Sequence, residues 1–532
     1  MKSIKILFIL TAAFLISFSS CMKDLDTVPL DDNEVTAADI FNDPNAYREI
    51  LAKLYAGLAV SGQQGPAGMA DISGIDEGFG QYLRAIYYHQ VLTTDEAVIG
   101  WDDQTVKDLV YQSWTASDVF ISAMYYRIFY QIALANEYIR QTTDELLDER
   151  GVTGELRQQV EVYRAEARYL RAFSYWHALD IFGNVPFVTD KDPIGAFLPE
   201  QIDGPGLFEY LENELMEIIP LMNEARTSEY GRVDRAAAWM LLAKLYLNAE
   251  TYTGQAKYTE AITYLNEIIN AGYTLEEEYQ HLFDADNFKS TSEIIMRVPY
   301  HGIETQTYGG TTFVIKAAIG GDMVPTQSGV DQGWGGLRTT PEFVSLFDND
   351  DPRALFFTQG QTLDIPNLSD FQNGYAVRKF TNLTRELDED GNPIPGSNLE
   401  FPDTDFPVFR LADAYLMYAE AVLRGGSGGD DATALQYVNM LRERAWGDDS
   451  GNITAGDLNL DFILDERGRE LYWEGHRRTD LLRYGRFAGD AYIWAWKGQT
   501  PGGLGTDAKF NLFPIPEADI NANPNLDQNL GY

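Results

Sequence analysis

Apolar residues recur at helical spacing through much of the chain. DPNAYREILAKLYAGLAV (43–60) has Pro near its start and an apolar stripe with the period of a helix. The period returns over 118–140 and 155–182. In the latter, Leu156, Val160, Tyr163, Ala167, Leu170, Ser174 and Ile181 fall on one face, while Arg164, Arg168 and Arg171 fall elsewhere. FGNVP (182–186) ends that helix: Gly183 and Asn184 suit a left-handed cap, and Pro186 forbids continuation. Residues 234–271 resemble a tetratricopeptide unit, with Trp239, Leu242, Ala243 and Tyr246 on its first helix and Ala261 and Leu265 on its second. The pair 407–424 and 432–446, and a helix near 460–487, repeat the helix–turn–helix theme. Stacked pairs of this kind bury a continuous core. The expected fold is mainly α: a tetratricopeptide-like helical-pair scaffold over about 43–60, 118–271 and 407–487.

Residues 273–406 break the pattern. They are rich in Gly, Pro, Thr, Asp and aromatics, with short β-like runs such as EIIMRVPY (293–300) and TTFVIK (311–316). DEDGNP (388–393) reads as a turn between short extended pieces. We expect a long, irregular, loop-rich insertion, and loops on a rigid scaffold are where binding surfaces are built. A second irregular region runs from the Gly-rich segment 61–80 to Trp114. It contains TTDEAVIGWDDQT (93–105), in which Trp101 follows a glycine, precedes two aspartates and has no period to carry it into a core. Trp114 and Trp176 lie in patterned stretches and are expected in the core.

Composition narrows the function classes. The 532 residues include 31 Tyr, 28 Phe and 9 Trp, more amphipathic rings than a core needs. The formal charge of −41 repels nucleic acid and anionic lipid, and leaves neutral ligands unopposed. The only cysteine is Cys21. Ahead of it stand Lys2 and Lys5, an apolar run of 13 residues from Ile6 to Phe18, and the small residues Ser19 and Ser20. This looks like a bacterial lipoprotein signal over 1–20, cleaved before a Cys21 that then carries lipid, although Phe18 stands where an aliphatic residue is usual. No other segment is long and apolar enough to span a bilayer. Residues 21–532 then form one tethered domain.

Catalytic patterns are weak. The five histidines (89, 177, 281, 301, 476) are scattered, with no HExxH and no cysteine partner. GGSGG (425–429) follows a helix rather than a buried strand, so it reads as a turn. GLGTDA (503–508) lacks the strand a dinucleotide fingerprint needs. A calcium loop through ELDEDGN (386–392) would need Glu where Ser397 stands. In DADN (284–287), Asp284 and Asp286 are the remaining candidates for a cation such as calcium.

Four stretches carry a family resemblance. YRAEARYLRAFSYWHALDIFGNVPFV (163–188), FPVFRLADAYLMYAEA (406–421), DERGRELYWEGHRRTDLLRYGRF (465–487) and LFPIPEADINANPNLDQNLGY (512–532) resemble, in order and spacing, the signatures of the SusD/RagB family of outer-membrane lipoproteins. The resemblance implies display at the outer-membrane surface. It implies glycan binding without cleavage, and a partner: a SusC-like TonB-dependent transporter over which the lipoprotein sits. GQQGPAGMADISGIDEG (62–78), LNAETYTGQAKY (247–258), TYGGTTFVIK (307–316), DQGWGGLR (331–338) and AYIWAWKG (491–498) bring it closest to the family's starch-binding founding member. Carried over by motif, Trp101, Tyr308 and Trp334 form an aromatic arc, with Arg84 for hydrogen bonding. Gln104 stands in for an asparagine after the loop tryptophan, with Asp102 and Asp103 intervening. The expected ligand is a starch-type α-1,4-glucan. Three alternatives stay open: another glycan such as a fructan or β-glucan, a helical glycoside hydrolase with two facing carboxylates, and an assembly protein whose aromatic loops meet the transporter.

Overall fold

The computed structural model describes residues 40–195 and 197–532; the leader and Cys21 lie outside the described residues. Contacts divide the chain into two units, Met1–Tyr47 and Arg48–Tyr532. The described part of the first is 40–47, where helix α1 (Ala46–Ala59) begins. In the second, α2 (Tyr82–Gln90) and the short strand β1 (Val98–Ile99) precede α3 (Val119–Gln141), whose first turn is capped by the Asp118 carboxylate on the Phe120 and Ile121 amides. Next comes α4 (Gly154–Phe182), ended by Gly183 at φ 73°, whose N–H bonds to the Ala178 and Leu179 carbonyls. Gly183 alone takes the positive φ; Asn184 does not. The arginines placed off that face of α4 are partly or wholly enclosed. Arg171 is 3% exposed, and both Arg168 and Arg171 reach Glu214 of α5 (Gly204–Ile218).

Helices α6 (Arg235–Leu247) and α7 (Tyr258–Asn270) form the expected tetratricopeptide-like pair, with Ala261 and Leu265 fully buried between them and their neighbours. Strand β2 (Ile294–Val298) opens the insertion. Within it lie α8 (Gly310–Ala317), β3 (Leu337–Arg338) and the hairpin β4 (Leu383–Leu387) and β5 (Pro393–Pro395), whose turn is DEDGNP as expected. Strand β6 (Phe406–Arg410) closes the insertion by pairing antiparallel with β2, Phe406 opposite Val298. Residues 407–410, expected to be helical, are therefore strand; α9 (Leu411–Leu423) starts immediately after. Then come α10 (Asp431–Trp446), α11 (Leu460–Leu471) and α12 (Arg477–Arg483). Helices α3, α4, α5, α6, α7, α9 and α10 pack each on the next, so the scaffold is one continuous stack.

Two further expectations change. TTFVIK is helix α8, not strand: all eight residues of α8 are buried, and Gln81 Oε1 holds the Gly310 amide at 2.8 Å. Burial and this end contact override the β-branched composition. The stretch 460–487 is two helices, parted at Trp473 (φ 64°) and Gly475 (φ 84°). Trp473 donates its backbone and indole N–H groups to Glu96 at 3.1 Å each, which holds it in this sparsely populated backbone region.

A buried ion network joins the neck of the insertion to the scaffold. Arg410, at the β6–α9 junction, donates to Glu470 at 2.6 Å, Glu293 at 2.9 Å and bidentately to Glu474 at 2.6 and 2.7 Å. Arg353 of the insertion reaches Glu466 and Glu470 at 2.8 and 3.1 Å, and Lys379 reaches Glu474 at 2.6 Å. Arg444 of α10 also pairs with Glu470. These charges are 0–4% exposed. Burial alone would raise the Glu470 carboxyl, but Arg444, Arg410 and Arg353 outweigh it and hold it well below the usual range. Glu466 is brought down to about 2 in the same way, against its own burial, by Arg353, Arg469 and Arg442.

Glu470→Gln leaves buried guanidinium charge without its partner. We expect a loss of about 3–5 kcal/mol at pH 7, read as a lower urea midpoint. The sign with pH follows from the low folded-state value. Stability from Glu470 is present above its unfolded value near 4.5 and falls as pH drops below it. The gap between wild type and variant should therefore narrow by about 2 kcal/mol between pH 7 and pH 3.

Candidate functional site

Helix α8 is the pedestal of the aromatic site. Tyr308 lies just before it, and the Trp334 loop hangs on its far end: the Trp334 N–H donates to the Lys316 carbonyl at 2.7 Å, Gly335 to Ile319 at 2.8 Å and Gly336 to Ala317 at 2.8 Å. Trp101 arrives from β1, which pairs with β3, and the Gly100 amide extends the pairing to the Gly336 carbonyl at 3.0 Å. The β1–β3 pairing and the 3.0 Å Gly100–Gly336 bond thus stitch together segments more than 200 residues apart in sequence. The Trp101 indole donates to the Trp334 carbonyl at 3.1 Å. Ring centroids lie 6.4 Å apart for Trp101 and Trp334, tilted by 51°, and 6.2 Å apart for Trp334 and Tyr308, tilted by 60°. All three rings are half-buried, so each keeps open surface. Gly336 is required here: a Cβ on it would fall 2.5 Å from Trp101 Cε2.

Arg84 is placed differently from the sequence expectation of a loop residue. It sits on α2, 5% exposed, and donates from Nε to Tyr88 Oη at 2.8 Å and from Nη1 to the Tyr308 carbonyl at 3.0 Å. Its guanidinium carbon lies 4.0 Å from the Phe79 ring centre, 4.4 Å from Phe313 and 5.7 Å from Trp101. The group supports the arc from within, and the Tyr308 backbone is one of its ligands. Gln104 is exposed with φ 48°, three residues beyond Trp101.

The polar frame of the arc leaves no mark in the sequence pattern. Tyr308 Oη donates to Glu400 Oε1 at 2.8 Å, and the Tyr308 ring packs 5.3 Å from Phe401. That hydrogen bond leads the effects that raise the Tyr308 phenol above its ordinary value. Lys316 places its ammonium 5.8 Å from the Trp334 ring centre while donating to Asp331 at 2.6 Å and the Glu400 carbonyl at 3.2 Å. Glu77 accepts from Thr307 Oγ1 at 2.7 Å and the Tyr308 amide at 3.2 Å, fixing where Tyr308 stands. No local pattern marks these residues; their roles arise from loops that meet only in the fold.

The other candidates resolve simply. Trp114 is 1% exposed and stacks on Phe513 at 4.3 Å, and Trp176 is 8% exposed; both are core, as expected. Asp284 accepts from Gln280 and Thr381 at 3.0 and 3.2 Å, and burial pushes its carboxyl up to about 6. Asp286 faces the Lys289 ammonium at 3.0 Å and the Arg385 amide at 3.2 Å. These partners, an ammonium among them, do not make a calcium cradle. Among the described residues, no three or more His, Cys, Asp or Glu side chains gather as a metal site.

Comparison with known proteins agrees with this architecture. A model of the SusD family matches residues 355–532. The chain is similar to the starch-binding protein SusD of Bacteroides thetaiotaomicron, at 34% identity over 97% of this chain and 96% of the relative. It is 26% identical to SusD-like protein P2 of Formosa agariphila over 74% of this chain and 78% of the relative. Among solved structures, surface glycan-binding protein A from Bacteroides fluxus superposes with a TM-score of 0.69 at 21% identity, covering 92% of this chain and 99% of that one. Surface glycan-binding protein A from Bacteroides thetaiotaomicron, in complex with laminarihexaose, gives 0.68 at 22% identity, covering 91% and 98%. A helical-pair stack interrupted by one long insertion, and identity of this extent to a curated member, place the chain in the SusD family, whose members bind glycans and catalyse nothing on them.

Proposed function

We propose that the protein binds starch-type α-1,4-glucan at the cell surface without cleaving it and passes it to a SusC-like TonB-dependent transporter in the outer membrane. The observation that carries the ligand assignment is the set of mutual tilts, 51° and 60°, of three rings spaced 6.4 and 6.2 Å apart. A pyranose presents an apolar C–H face to an aromatic ring and keeps its hydroxyl rim for hydrogen bonds. Rings turned relative to each other suit a chain that coils; a straight β-1,4 chain suits a flat platform. Glu400 and Asp331 stand beside the rings as acceptors, and exposed Gln104 supplies both donors and an acceptor. The starch-binding relative supports the same ligand. A second reading is a β-1,3-glucan, which also coils; the laminarihexaose-bound relative favours it. In both readings Cys21 carries the lipid that holds residues 21–532 at the membrane.

Isothermal titration with maltoheptaose tests the assignment. Wild type should bind saturably, and Trp101→Ala and Trp334→Ala should each weaken binding roughly tenfold or more with the fold intact, a loss of about 1.4 kcal/mol or greater. Wild-type binding to laminarihexaose and not to maltoheptaose would select the second reading. Gly336→Ala tests the geometry itself. Its methyl displaces Trp101 without removing a ring, so an affinity loss comparable to that of Trp101→Ala is expected, and wild-type affinity would show that the position of Trp101 does not matter.

A further inference from the structure

We propose that Phe371 is a fourth stacking platform, forming a subsite beside Trp334 that takes an additional sugar ring of the same bound chain. The proposal rests on the reading of the aromatic arc as a glycan site. It starts from Arg338, a fully buried guanidinium whose partners are backbone carbonyls: Gly336 at 2.8 Å, Asn373 at 2.9 Å, Leu368 at 2.6 Å and Asp370 at 3.1 Å. This clamp fastens the loop 368–373 to the strand that follows the Trp334 loop. A second tie comes from the Trp101 side, where Lys107 bridges Asp102 and Ser369 Oγ, the latter at 2.8 Å. Gly100 also abuts that loop, since a Cβ on it would lie 3.2 Å from the Leu368 carbonyl oxygen.

Between these ties stands Phe371. Its ring rests on a floor of glycine backbone: a Cβ on Gly320 would fall 2.9 Å from Phe371 Cδ1, and one on Gly335, the residue after Trp334, would fall 3.9 Å from Cδ2. Arg338 Cζ lies 5.6 Å from the ring centre. Phe371 is half-buried, so the ring keeps solvent-facing surface although its loop is held from two sides. A partly open phenyl beside Gly335, the residue after Trp334, offers a flat apolar face and no hydroxyl that would need its own partner. Exposed Gln372, whose Cγ would lie 3.9 Å from a Cβ on Gly321, supplies an amide for sugar hydroxyls at the rim. The consequence is selectivity for chain length. Three sugars fill the arc, and a longer glucan gains the Phe371 contact.

The test compares maltotriose with maltoheptaose by isothermal titration of wild type, Phe371→Ala, Phe371→Leu and Trp334→Ala, with melting curves to check folding. Phe371→Leu keeps an apolar anchor for the loop but removes the flat face. Both Phe371 variants should bind maltoheptaose about five- to tenfold more weakly than wild type and bind maltotriose as wild type does. Equal losses for both sugars, or unchanged maltoheptaose affinity in Phe371→Leu, would overturn the subsite. Binding lost in Trp334→Ala but untouched in both Phe371 variants would remove the subsite and leave the arc. A wild type that binds neither sugar would sink the α-glucan reading and the subsite together.

Discussion

Arg410 bonds three glutamates where solvent does not reach: Glu293 before β2, Glu470 on α11 and Glu474 just after it. Taking such charges out of water is costly, and the cost is offset only when every partner is in place. The network therefore tolerates one arrangement of the elements that supply it. Those elements are the two ends of the insertion, helices α10 and α11, and two insertion residues, Arg353 and Lys379. Once assembled, it fixes where the insertion leaves the scaffold and where it returns. The β2–β6 pairing then ties off the neck.

The aromatic arc depends on that neck. The insertion carries Tyr308, α8 and Trp334, while the scaffold side supplies Trp101 and Arg84. Neither half is an arc alone. The short β1–β3 pairing and the indole-to-carbonyl bond of Trp101 bring the halves into register. Because each ring is held by backbone hydrogen bonds, little order remains to be gained on binding, and a weak neutral ligand loses less affinity to immobilisation.

Charge is divided in the same sense. The formal charge is −41, yet Arg127, Arg338, Arg353, Arg410 and Arg478 are among the largest fully buried side chains. Buried cations pair with buried carboxylates or backbone carbonyls, so the net acidic excess stays at the surface. Such a surface discourages polyanions and stays soluble, while a neutral polysaccharide approaches freely.

The helical scaffold was legible because its cause is local. Apolar residues at a 3.6-residue period, Gly183 and Pro186 after α4, and the Ala261 and Leu265 positions of α7 each act within a turn or two of chain, and the fold keeps them. Trp101, Tyr308 and Trp334 stood out for a related reason: large rings among glycines have no local core to enter. What only tertiary structure decided were outcomes set by partners far along the chain. TTFVIK became helix because it is buried and met by Gln81, and 460–487 broke in two where Glu96 captures Trp473. Arg84, expected in a loop, stands on α2 because Phe79, Phe313 and Tyr88 close around its guanidinium. Glu400 on a loop, Lys316 on α8 and Arg338 on β3 have partners far along the chain, so their contacts form only once the insertion is folded.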